Sequence, residues 1–267
     1  MRGRKSASGS WVADIASSAV ALRKGIMNDI VLITGGTRGI GFETASALGL
    51  LGATVIITGR TTATLAAAAE ELAQRGVLVE AELLDVTSPE SVGHLLERVR
   101  NRHDRIDVLV NNAGVAGEWP HPSATGFVHP DAVRITFDTN VLGVLYMIET
   151  FLPLLRASSD ARIVNVSSFM ASLTLQSTAA PDTLVVPAYQ ASKAALNSIT
   201  IMLDKALGAS GIRAVSVDPG FVQTDFSPIN RDQAPLTAAQ GAEPIVRAAC
   251  GQYIAGTFIG REGALPW

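Results

Sequence analysis

Short apolar runs alternate with longer amphipathic, Ala-rich segments from residue 30 to the end of the chain. The apolar runs are rich in Val, Ile and Leu, as is typical of strands buried on both faces of a parallel sheet. The longer segments predict helices between them. Predicted strands lie near residues 30–34, 53–58, 77–84, 106–111, 161–167, 212–217 and 257–260, and predicted helices near residues 39–51, 62–75, 88–102, 131–157, 188–210 and 237–249. This alternation predicts a single α/β domain with helices on both faces of the sheet.

Some predicted helix ends carry capping signals. Ser88 followed by Pro89 predicts a helix start, because serine caps free N–H groups and proline fits the first turn. Thr237 and Gln240 have the spacing of a capping box and predict another start. Pro244 lies inside this last helix and has no N–H to donate, so we expect a kink or a break there.

The first 26 residues differ in composition from the rest of the chain. They carry five basic residues and one acid, Asp14, and are rich in Ser and Ala. Asp14 interrupts the apolar run that a secretory signal needs, whereas the basic, acid-poor character overlaps with that of transit peptides. We expect residues 1–28 to be a leader, disordered or wrongly included, with the domain covering residues 29–267. Met27 is an alternative start, and a chain that begins there is expected to fold and to keep its activity.

Composition and charge exclude several classes of protein. The 267 residues are 48% hydrophobic and 17% charged, as in globular proteins. Lys and Arg number 21 against 24 Asp and Glu, so no basic face for nucleic acid is predicted. No uninterrupted apolar run reaches about 18 residues, so no membrane partner is expected either. A single cysteine, Cys250, fits a reducing compartment and a cytoplasmic location. His121 and His129 lack metal-ligand spacing, and no metal site is predicted.

A glycine-rich turn follows the first predicted strand and leads into a helix. It reads Thr34-Gly35-Gly36-Thr37-Arg38-Gly39-Ile40-Gly41. Glycines let a backbone turn sharply and approach a pyrophosphate, and the helix N-terminus offers that anion free N–H groups. The spacing is not the common G-x-G-x-x-G fingerprint, and such a turn is often only a tight connection. Its place after the first strand of an alternating domain favours cofactor binding.

Further motifs follow in a fixed order along the chain. They are Asp85-Val86, Asn111-Asn112-Ala113-Gly114, Asn140, Val166-Ser167-Ser168, Tyr189-Gln190-Ala191-Ser192-Lys193 and Asp218-Pro219-Gly220. Together with the glycine turn, these motifs resemble those of the short-chain dehydrogenase/reductase family over about residues 29–267. The long stretch Phe169–Pro187 and the chain's last residues are similar to the carbonyl-reductase-like subgroup. The resemblance implies a single-domain, doubly wound Rossmann fold with a parallel seven-stranded sheet flanked by helices.

Tyr189 and Lys193 lie four residues apart on a predicted helix, so both project from one face. An ammonium beside a tyrosine stabilises the phenolate and lowers the tyrosine pKa. Alone, such a pair is usually a surface contact, but Ser168 is predicted at the end of a strand, where doubly wound sheets place ligands. The resemblance implies that Tyr189 is the general acid and base, that Ser168 stabilises the charge on the substrate oxygen, and that Lys193 holds the nicotinamide ribose. It also implies that Asn140 positions a water, while Ser167 competes with Ser168 for the serine role.

The second predicted strand ends in Thr58-Gly59-Arg60, without the acid that binds the ribose 2′-hydroxyl of NAD. Arg60 and Arg38 can instead pair with the 2′-phosphate of NADP, unless both are merely solvated surface charges. NADP(H) is therefore the predicted cofactor. The resemblance and this argument together give the cofactor-binding residues Gly35, Thr37, Arg38, Gly39, Ile40, Gly41, Arg60, Asp85, Val86, Asn112, Ala113, Gly114, Asn140, Tyr189, Lys193, Pro219, Gly220, Val222 and Thr224.

These features predict an NADP(H)-dependent oxidoreductase that reduces a ketone or aldehyde to an alcohol, or catalyses the reverse reaction. The alternative is a non-catalytic NADP-binding regulatory or interaction protein on the same fold. Loops at residues 115–130, 169–187 and 221–236 are expected to shape the pocket for a hydrophobic carbonyl compound. Trp267 either covers apolar surface or lines that pocket. The chain is a monomer or a homo-oligomer, and the sequence does not decide between them.

Overall fold

The computed structural model describes residues 21–22 and 24–267. Within these residues eight strands form one sheet, and their order across it is β3-β2-β1-β4-β5-β6-β7-β8. The strands are β1 Ile30–Ile33, β2 Thr54–Gly59, β3 Val79–Leu83, β4 Val108–Asn111, β5 Arg162–Val166, β6 Arg213–Val217, β7 Phe258–Gly260 and β8 Gly263–Ala264. All neighbouring strands pair in parallel except β7 and β8, which are antiparallel.

Helices connect the strands and cover both faces of the sheet. They are α1 Gly39–Leu50, α2 Thr62–Gln74, α3 Pro89–Arg100, α4 Pro130–Phe137, α5 Gly143–Arg156, α6 Leu173–Thr178, α7 Pro187–Leu207, α8 Pro228–Gln233 and α9 Ala238–Ala249. A π-helical turn, Asp138–Leu142, joins α4 to α5. Short 3₁₀ turns occupy Phe169–Ala171 and Gly208–Ser210. The predicted doubly wound α/β fold is confirmed.

Residues on β1 alternate between two hydrophobic cores, one on each face of the sheet. Val31 and Ile33 belong to the core formed with α1, α2 and α9, whereas Ile30 and Leu32 belong to the core formed with α3, α5 and α7. Every residue of β1 and of β4 is buried, which explains why these strands are apolar throughout. The sheet therefore needs helices on both faces.

The strand order reverses direction at β1. From β1 the chain moves outward to β2 and β3, then returns to β4 on the other side and continues to β7. Crossovers leave the sheet in opposite directions at this point, which opens a crevice beyond the carboxyl ends of β1 and β4. The glycine turn follows β1 and the Asn111–Gly114 motif follows β4, so both lie at this crevice.

Four details differ from the sequence-based prediction. The sheet has eight strands rather than seven, because the two-residue β8 folds back on β7. The single helix predicted for residues 131–157 is interrupted by the π-helical turn, and the short helices α6 and α8 were not predicted. No break occurs at Pro244, where α9 continues to Ala249. Pro244 and Ile245 are buried on α9, and this packing offsets the one lost backbone hydrogen bond.

The capping predictions agree with the structure. Ser88 Oγ accepts a hydrogen bond from the N–H of Ser91 at the start of α3, with Pro89 in the first turn. Thr237 and Gln240 form both hydrogen bonds of a capping box at the start of α9. Side-chain caps of this kind each stabilise a helix by about 1 kcal/mol.

The end of the predicted leader packs against the domain. Ile26 is completely buried in the core beside α1 and α9, and the carbonyl of Gly25 accepts a hydrogen bond of 2.8 Å from Arg162 Nη1. Arg162 is itself buried and also contacts Asp29 and the Ala249 carbonyl. Residues 1–20 and 23 of the predicted leader lie outside the described residues. The boundary of the domain at residue 29 stays a prediction, but its core extends to Ile26.

Replacing Ile26 with Ala is expected to lower the free energy of unfolding by about 2–4 kcal/mol, because a fully buried side chain is lost and a cavity remains. Urea unfolding followed by circular dichroism measures this change. Met27→Ala is the matched control: its side chain is 50% exposed, and its expected effect is under about 1 kcal/mol. A chain that begins at Met27 lacks the buried Ile26 side chain, and its free energy of unfolding is expected to be lower than that of the full chain. Equal, small effects of the two Ala variants would contradict the buried position of Ile26.

One helical stretch in the described part of the chain, Pro130–Arg156, is long and apolar enough to cross a membrane by length and composition. Of its most apolar window, 44% is buried inside the domain. Met147, Ile148 and Phe151 on this stretch pack in the core beneath the sheet. A buried core helix of a soluble protein meets the same criteria, so the stretch is weak evidence for a membrane span.

Candidate active site

A cavity of about 800 Å³ lies at the carboxyl ends of the parallel strands, in the crevice where the strand order reverses. Nearly all the predicted catalytic and cofactor-binding residues line it. The exceptions are Gly39 and Asn140, which are not among the lining residues. The structure thus brings together residues that are spread over almost 190 positions of sequence, from Gly35 to Thr224.

The glycine turn forms one end of the cavity. Gly39 has a φ of +57°, which L side chains rarely adopt. A Cβ on Gly41 would lie 2.5 Å from the Gly35 carbonyl oxygen and from Asn112 Nδ2, so no side chain fits there. Within the described residues no side chain caps the start of α1, and its first turn carries no acid. Uncapped N–H groups beside an open cavity fit the pyrophosphate of a dinucleotide cofactor.

Asn112 ties the glycine turn to the end of β4. Its Nδ2 donates to the carbonyls of Thr34 and Gly35 at 2.9 and 3.1 Å. The N–H groups of Asn112 and Ala113 both donate to Thr34 Oγ1 at 3.0 Å. The amide of Asn112 is therefore occupied by the backbone of the turn. Its contribution to a cofactor site is to hold the turn in shape.

Two arginines stand where the cavity opens beside β2. Arg60 follows the last residue of β2, and Arg38 lies in the glycine turn; both line the cavity and are exposed. The nearest ion-pair partner of Arg38 is Asp225, with Arg38 Nη1 3.8 Å from Asp225 Oδ2. Asp85, after β3, lines the same region and accepts hydrogen bonds from the N–H and hydroxyl of Thr87. No acid occupies the end of β2, as the sequence predicts.

Lys193 is buried at the centre of the site. Its Nζ donates a 2.7 Å hydrogen bond to the Val166 carbonyl at the end of β5 and lies 5.8 Å from the centre of the Tyr189 ring. Both residues project from one face of α7, as their spacing predicts. Burial lowers the pKa of Lys193 to about 8. The ammonium form still predominates at pH 7, so Lys193 places a positive charge beside the tyrosine.

Burial raises the pKa of Tyr189 above its usual value, and the carboxylates of Asp218 and Glu118 act in the same direction. The neighbouring Ser168 hydroxyl acts in the opposite direction on this pKa. The sequence-based argument considers Lys193 together with the charge of the cofactor and therefore expects a lowered pKa. The structure gives the opposite direction for the protein alone, because desolvation of the phenolate outweighs the stabilising contacts.

The structure separates the two serines at the end of β5. Ser167 Oγ donates a 2.6 Å hydrogen bond to Asn197 Oδ1 on α7 and is thereby engaged. Ser168 Oγ accepts from the N–H of Met170 at 3.2 Å and keeps its own proton available. Phe169 follows Ser168, and its N–H donates a 2.9 Å hydrogen bond to Asp218 Oδ1 at the end of β6. The geometry favours Ser168 over Ser167 as the partner of Tyr189.

Asn140 lies in the π-helical turn and is completely buried. Its side chain bonds the backbone of Val115 on both sides: Oδ1 accepts from the N–H, and Nδ2 donates to the carbonyl, both at 2.9 Å. Nδ2 also donates to Ser192 Oγ on α7 at 3.0 Å. This arrangement joins the loop after β4 to the helix that carries Tyr189. The predicted positioning of a water by Asn140 stays a prediction.

Glu118 contributes to the site, although the sequence motifs do not include it. Its Oε1 accepts a 2.9 Å hydrogen bond from the N–H of Tyr189, 71 residues away, in the first turn of α7. Its Oε2 is buried and has no hydrogen-bond partner within residues 21–22 and 24–267. Glu118 therefore caps the helix at the point where the tyrosine projects. A contact so distant in sequence, with no motif around it, leaves no signal in a single chain.

Replacing Glu118 with Gln is expected to shift the pH dependence of alcohol oxidation to lower pH. In the role that the family resemblance implies for Tyr189, alcohol oxidation needs the deprotonated tyrosine, so the rate of oxidation is expected to rise as the pH approaches the tyrosine pKa. The glutamine keeps an oxygen for the N–H of Tyr189 but removes the negative charge that helps to raise this pKa. Profiles of kcat/KM against pH measure the shift. Glu149→Gln, at an exposed position on α5, is the control and should leave the profile in place; a shift toward higher pH would contradict the argument.

Other residues that the sequence analysis considers do not line the cavity. Trp267 stacks on Phe258 at 5.7 Å, and its carbonyl accepts from the N–H of Thr174, so it covers apolar surface and supports α6. His121 and His129 stack on each other at 6.2 Å. Cys250 is buried. In the part of the chain that the structure describes, no group of three or more His, Cys, Asp or Glu is placed to hold a metal ion.

Known proteins resemble this chain in sequence and in fold. The family model for short chain dehydrogenases matches residues 29–234. A short-chain dehydrogenase of Penicillium roqueforti is 34% identical over 240 residues, which cover 84% of this chain and 89% of the relative. The structure of NADPH-bound carbonyl reductase from chicken fatty liver has a TM-score of 0.78 at 25% identity, covering 91% of this chain and 100% of that one. Salutaridine reductase from Papaver somniferum has a TM-score of 0.74 at 26% identity, with 86% and 99% covered. The resemblance inferred from the motifs is thus confirmed, and the chain belongs to the short-chain dehydrogenase/reductase family of oxidoreductases.

Proposed function

We propose that this oxidoreductase uses NADP(H) to reduce a ketone or aldehyde to an alcohol, or to catalyse the reverse reaction. The observation that carries the proposal is the placement of Tyr189 beside Ser168 and Lys193 in the cavity that begins at the glycine turn. A carbonyl oxygen at this place meets a hydroxyl that can donate a proton and a second hydroxyl that can hydrogen-bond it. The similarity to a carbonyl reductase solved with NADPH supports the same assignment.

The protein residues bind the substrate and transfer the proton, and a bound NADPH would supply the hydride for the carbonyl carbon. Tyr189 donates its proton to the carbonyl oxygen, so hydride and proton together convert the carbonyl to an alcohol. A raised pKa keeps Tyr189 protonated at neutral pH, as a proton donor must be. Ser168 hydrogen-bonds the oxygen and stabilises its developing negative charge. Lys193, held by the Val166 carbonyl, stabilises the phenolate that remains.

The preference for NADP(H) rests on Arg38 and Arg60. Both line the opening beside β2, and no carboxylate stands at the end of that strand to repel a 2′-phosphate. The backbone of the glycine turn would hold the pyrophosphate, and the residues after β3 and β4 would line the adenosine. A cytoplasmic location and the choice between monomer and homo-oligomer stay predictions.

A panel of ketones and aldehydes, followed by loss of NADPH absorbance with NADH in parallel, tests the proposal. We expect turnover of at least one hydrophobic carbonyl compound, with a kcat/KM for NADPH well above that for NADH. The intact tyrosine, lysine and serine favour an enzyme over the non-catalytic regulator. Tight NADPH binding with no turnover across a broad panel would instead favour the regulator.

A further inference from the structure

We call the part of the cavity beyond Tyr189 and Ser168 the outer chamber. Three segments build it: residues 115–119 after β4, residues 169–190 around α6, and residues 221–233 around α8. Its apolar walls include Trp119, Met170, Leu175, Leu184, Phe226 and Ile229. The outer chamber is the part of the cavity that remains for a substrate once a dinucleotide lies on the glycine turn.

The outer chamber holds no cation within the described part of the chain. Among the cavity-lining residues, the positive side chains are Arg38 and Arg60 at the opposite end and Lys193, whose Nζ is engaged by the Val166 carbonyl. Arg231 belongs to one of the three segments, but it does not line the cavity and pairs with Asp225 at 3.1 Å. A carboxylate or sulfonate held against the walls of the outer chamber would therefore be desolvated with no cation in those walls, since the one ammonium of this region, Lys193, lies behind Tyr189 and donates to the Val166 carbonyl.

The carboxylates near Tyr189 oppose an anion further. Asp218 is buried at the end of β6, and Glu118 contacts the N–H of Tyr189. Both lie close enough to the tyrosine to affect its ionisation. A substrate anion beside the reacting carbonyl would be near one ammonium, that of Lys193, and near two carboxylates whose ionised forms repel it. The absence of a cation from the chamber walls and the presence of acids near Tyr189 thus both disfavour an anionic substrate.

The amides that line the outer chamber are mostly occupied by protein groups. Gln176 Nε2 donates to the Met170 carbonyl at 2.5 Å, its Oε1 accepts from Gln190 Nε2, and Gln190 Oε1 accepts from the N–H of Val186. Asn230 is likewise engaged: Nδ2 donates to the Val222 carbonyl, and Oδ1 accepts from Ser227 Oγ. Thr183 and Gln233 also line these segments, but few other side-chain polar atoms are left to match a substrate that carries many hydroxyl groups.

Aromatic and aliphatic side chains are instead available for contact. The Phe226 ring packs edge-on against the Tyr189 ring, with 5.3 Å between centroids, and stays partly exposed. Leu175, Leu184 and Phe169 also line the cavity while being more than a third exposed. Covering exposed apolar surface with an apolar ligand is favourable by about 25 cal/mol for each Å² removed from water. The binding energy of a substrate here comes from apolar area.

We propose that the substrate is an uncharged ketone or aldehyde whose carbonyl is attached to an apolar, ring-bearing group, and that carbonyl compounds with a carboxylate or sulfonate near the carbonyl are rejected. This inference rests on the proposed function, because it names the class of carbonyl compound that the same site reduces. The charge pattern of the outer chamber sets the selectivity, and the apolar walls supply the binding energy.

Matched pairs of neutral esters and their parent acids test the inference. Three pairs suffice: ethyl benzoylformate and benzoylformate, ethyl 2-oxo-4-phenylbutanoate and its acid, and methyl 4-acetylbenzoate and 4-acetylbenzoate. The two members of a pair carry the same ketone and the same ring and differ in the charge of one carboxyl group. In the 4-acetylbenzoate pair this group lies across the ring, so the intrinsic reactivity of the ketone changes least. With NADPH, we expect kcat/KM for the ester to exceed that for the acid by about 100-fold or more. Acids reduced as well as their esters would overturn the inference and leave the proposed function standing.

A second experiment introduces a positive charge into the outer chamber. Leu184→Arg places a cation on the chamber wall and should narrow the difference between ester and acid by about tenfold or more. Leu173→Arg is the matched control, because Leu173 is exposed nearby on α6 but does not line the cavity, and it should leave the ratio unchanged. An equal change in both variants would overturn the role of the chamber. Absence of turnover with every ester, acid and simple ketone would reject the proposed function itself.

Discussion

Replacing Tyr189 with Phe is expected to lower kcat for carbonyl reduction by about 10³-fold, because the proton donor is removed while the ring that fills the site is kept. Ser168 neighbours the Tyr189 hydroxyl, Lys193 Nζ lies 5.8 Å from the centre of its ring, and no other phenol lines the cavity in the described residues. Steady-state reduction of the best carbonyl compound from the panel measures the loss. The residual rate reports what orientation and the remaining hydrogen bonds contribute without proton transfer.

NADPH binding should survive the same substitution, because the tyrosine ring is kept and the proposed phosphate-binding groups, the glycine turn and the two arginines, belong to other segments of the chain. Fluorescence titration of NADPH is expected to give a Kd within about threefold of that of the unmodified protein. The pattern of lost kcat and retained cofactor affinity distinguishes a proton donor from a residue that shapes the cofactor site.

Tyr146→Phe is the matched control for this substitution. Tyr146 lies on α5, packed beside the core below the sheet, and does not line the cavity. Removing its hydroxyl changes the chain by the same single atom and should leave kcat unchanged. Normal turnover by Tyr189→Phe, or an equal loss in the two variants, would contradict the proposed mechanism.

Where apolar residues face both sides of a strand, the sequence predicts the fold closely. The strand predicted at residues 30–34 agrees with the observed Ile30–Ile33 to within one residue. The agreement is close because every position of β1 is buried and therefore apolar. Short elements are not predictable in this way. The two-residue β8 and the six-residue helices α6 and α8 are too short to repeat an apolar position, so no period marks them.

Contacts between distant segments account for the other differences. The π-helical turn at Asp138–Leu142 is only five residues long, too short to interrupt the apolar pattern of the helices beside it, so the sequence predicts one continuous helix. Ile26 follows a basic, Ser-rich stretch, and only its position against α9 shows that it is core. Motifs identify the ends of strands where Ser168 and Asn112 lie, but the contact of Glu118 with Tyr189 depends on where the loop after β4 crosses α7.

Replacing both Arg38 and Arg60 with Ala is expected to lower kcat/KM for NADPH by about 100-fold or more while changing that for NADH by less than about threefold. Each charge-assisted hydrogen bond to a phosphate contributes roughly 1.5–3 kcal/mol, and NADH has no 2′-phosphate to lose. Both cofactors are measured with the same carbonyl substrate. Arg75→Ala is the control, because Arg75 is an exposed arginine at the end of α2 that does not line the cavity.

The ion pair with Asp225 does not prevent Arg38 from binding the 2′-phosphate. The two side chains are 3.8 Å apart and are 70% and 60% exposed, and such a surface ion pair contributes at most about 1 kcal/mol. A phosphate contact is stronger, so it would displace the aspartate. Asp225→Asn should therefore raise the affinity for NADPH only slightly, whereas the double arginine variant should lose most of the preference. Equal losses of kcat/KM with NADPH and with NADH would show that the arginines support the glycine turn in general. That result would contradict the preference for NADP(H) but not the use of a nicotinamide cofactor.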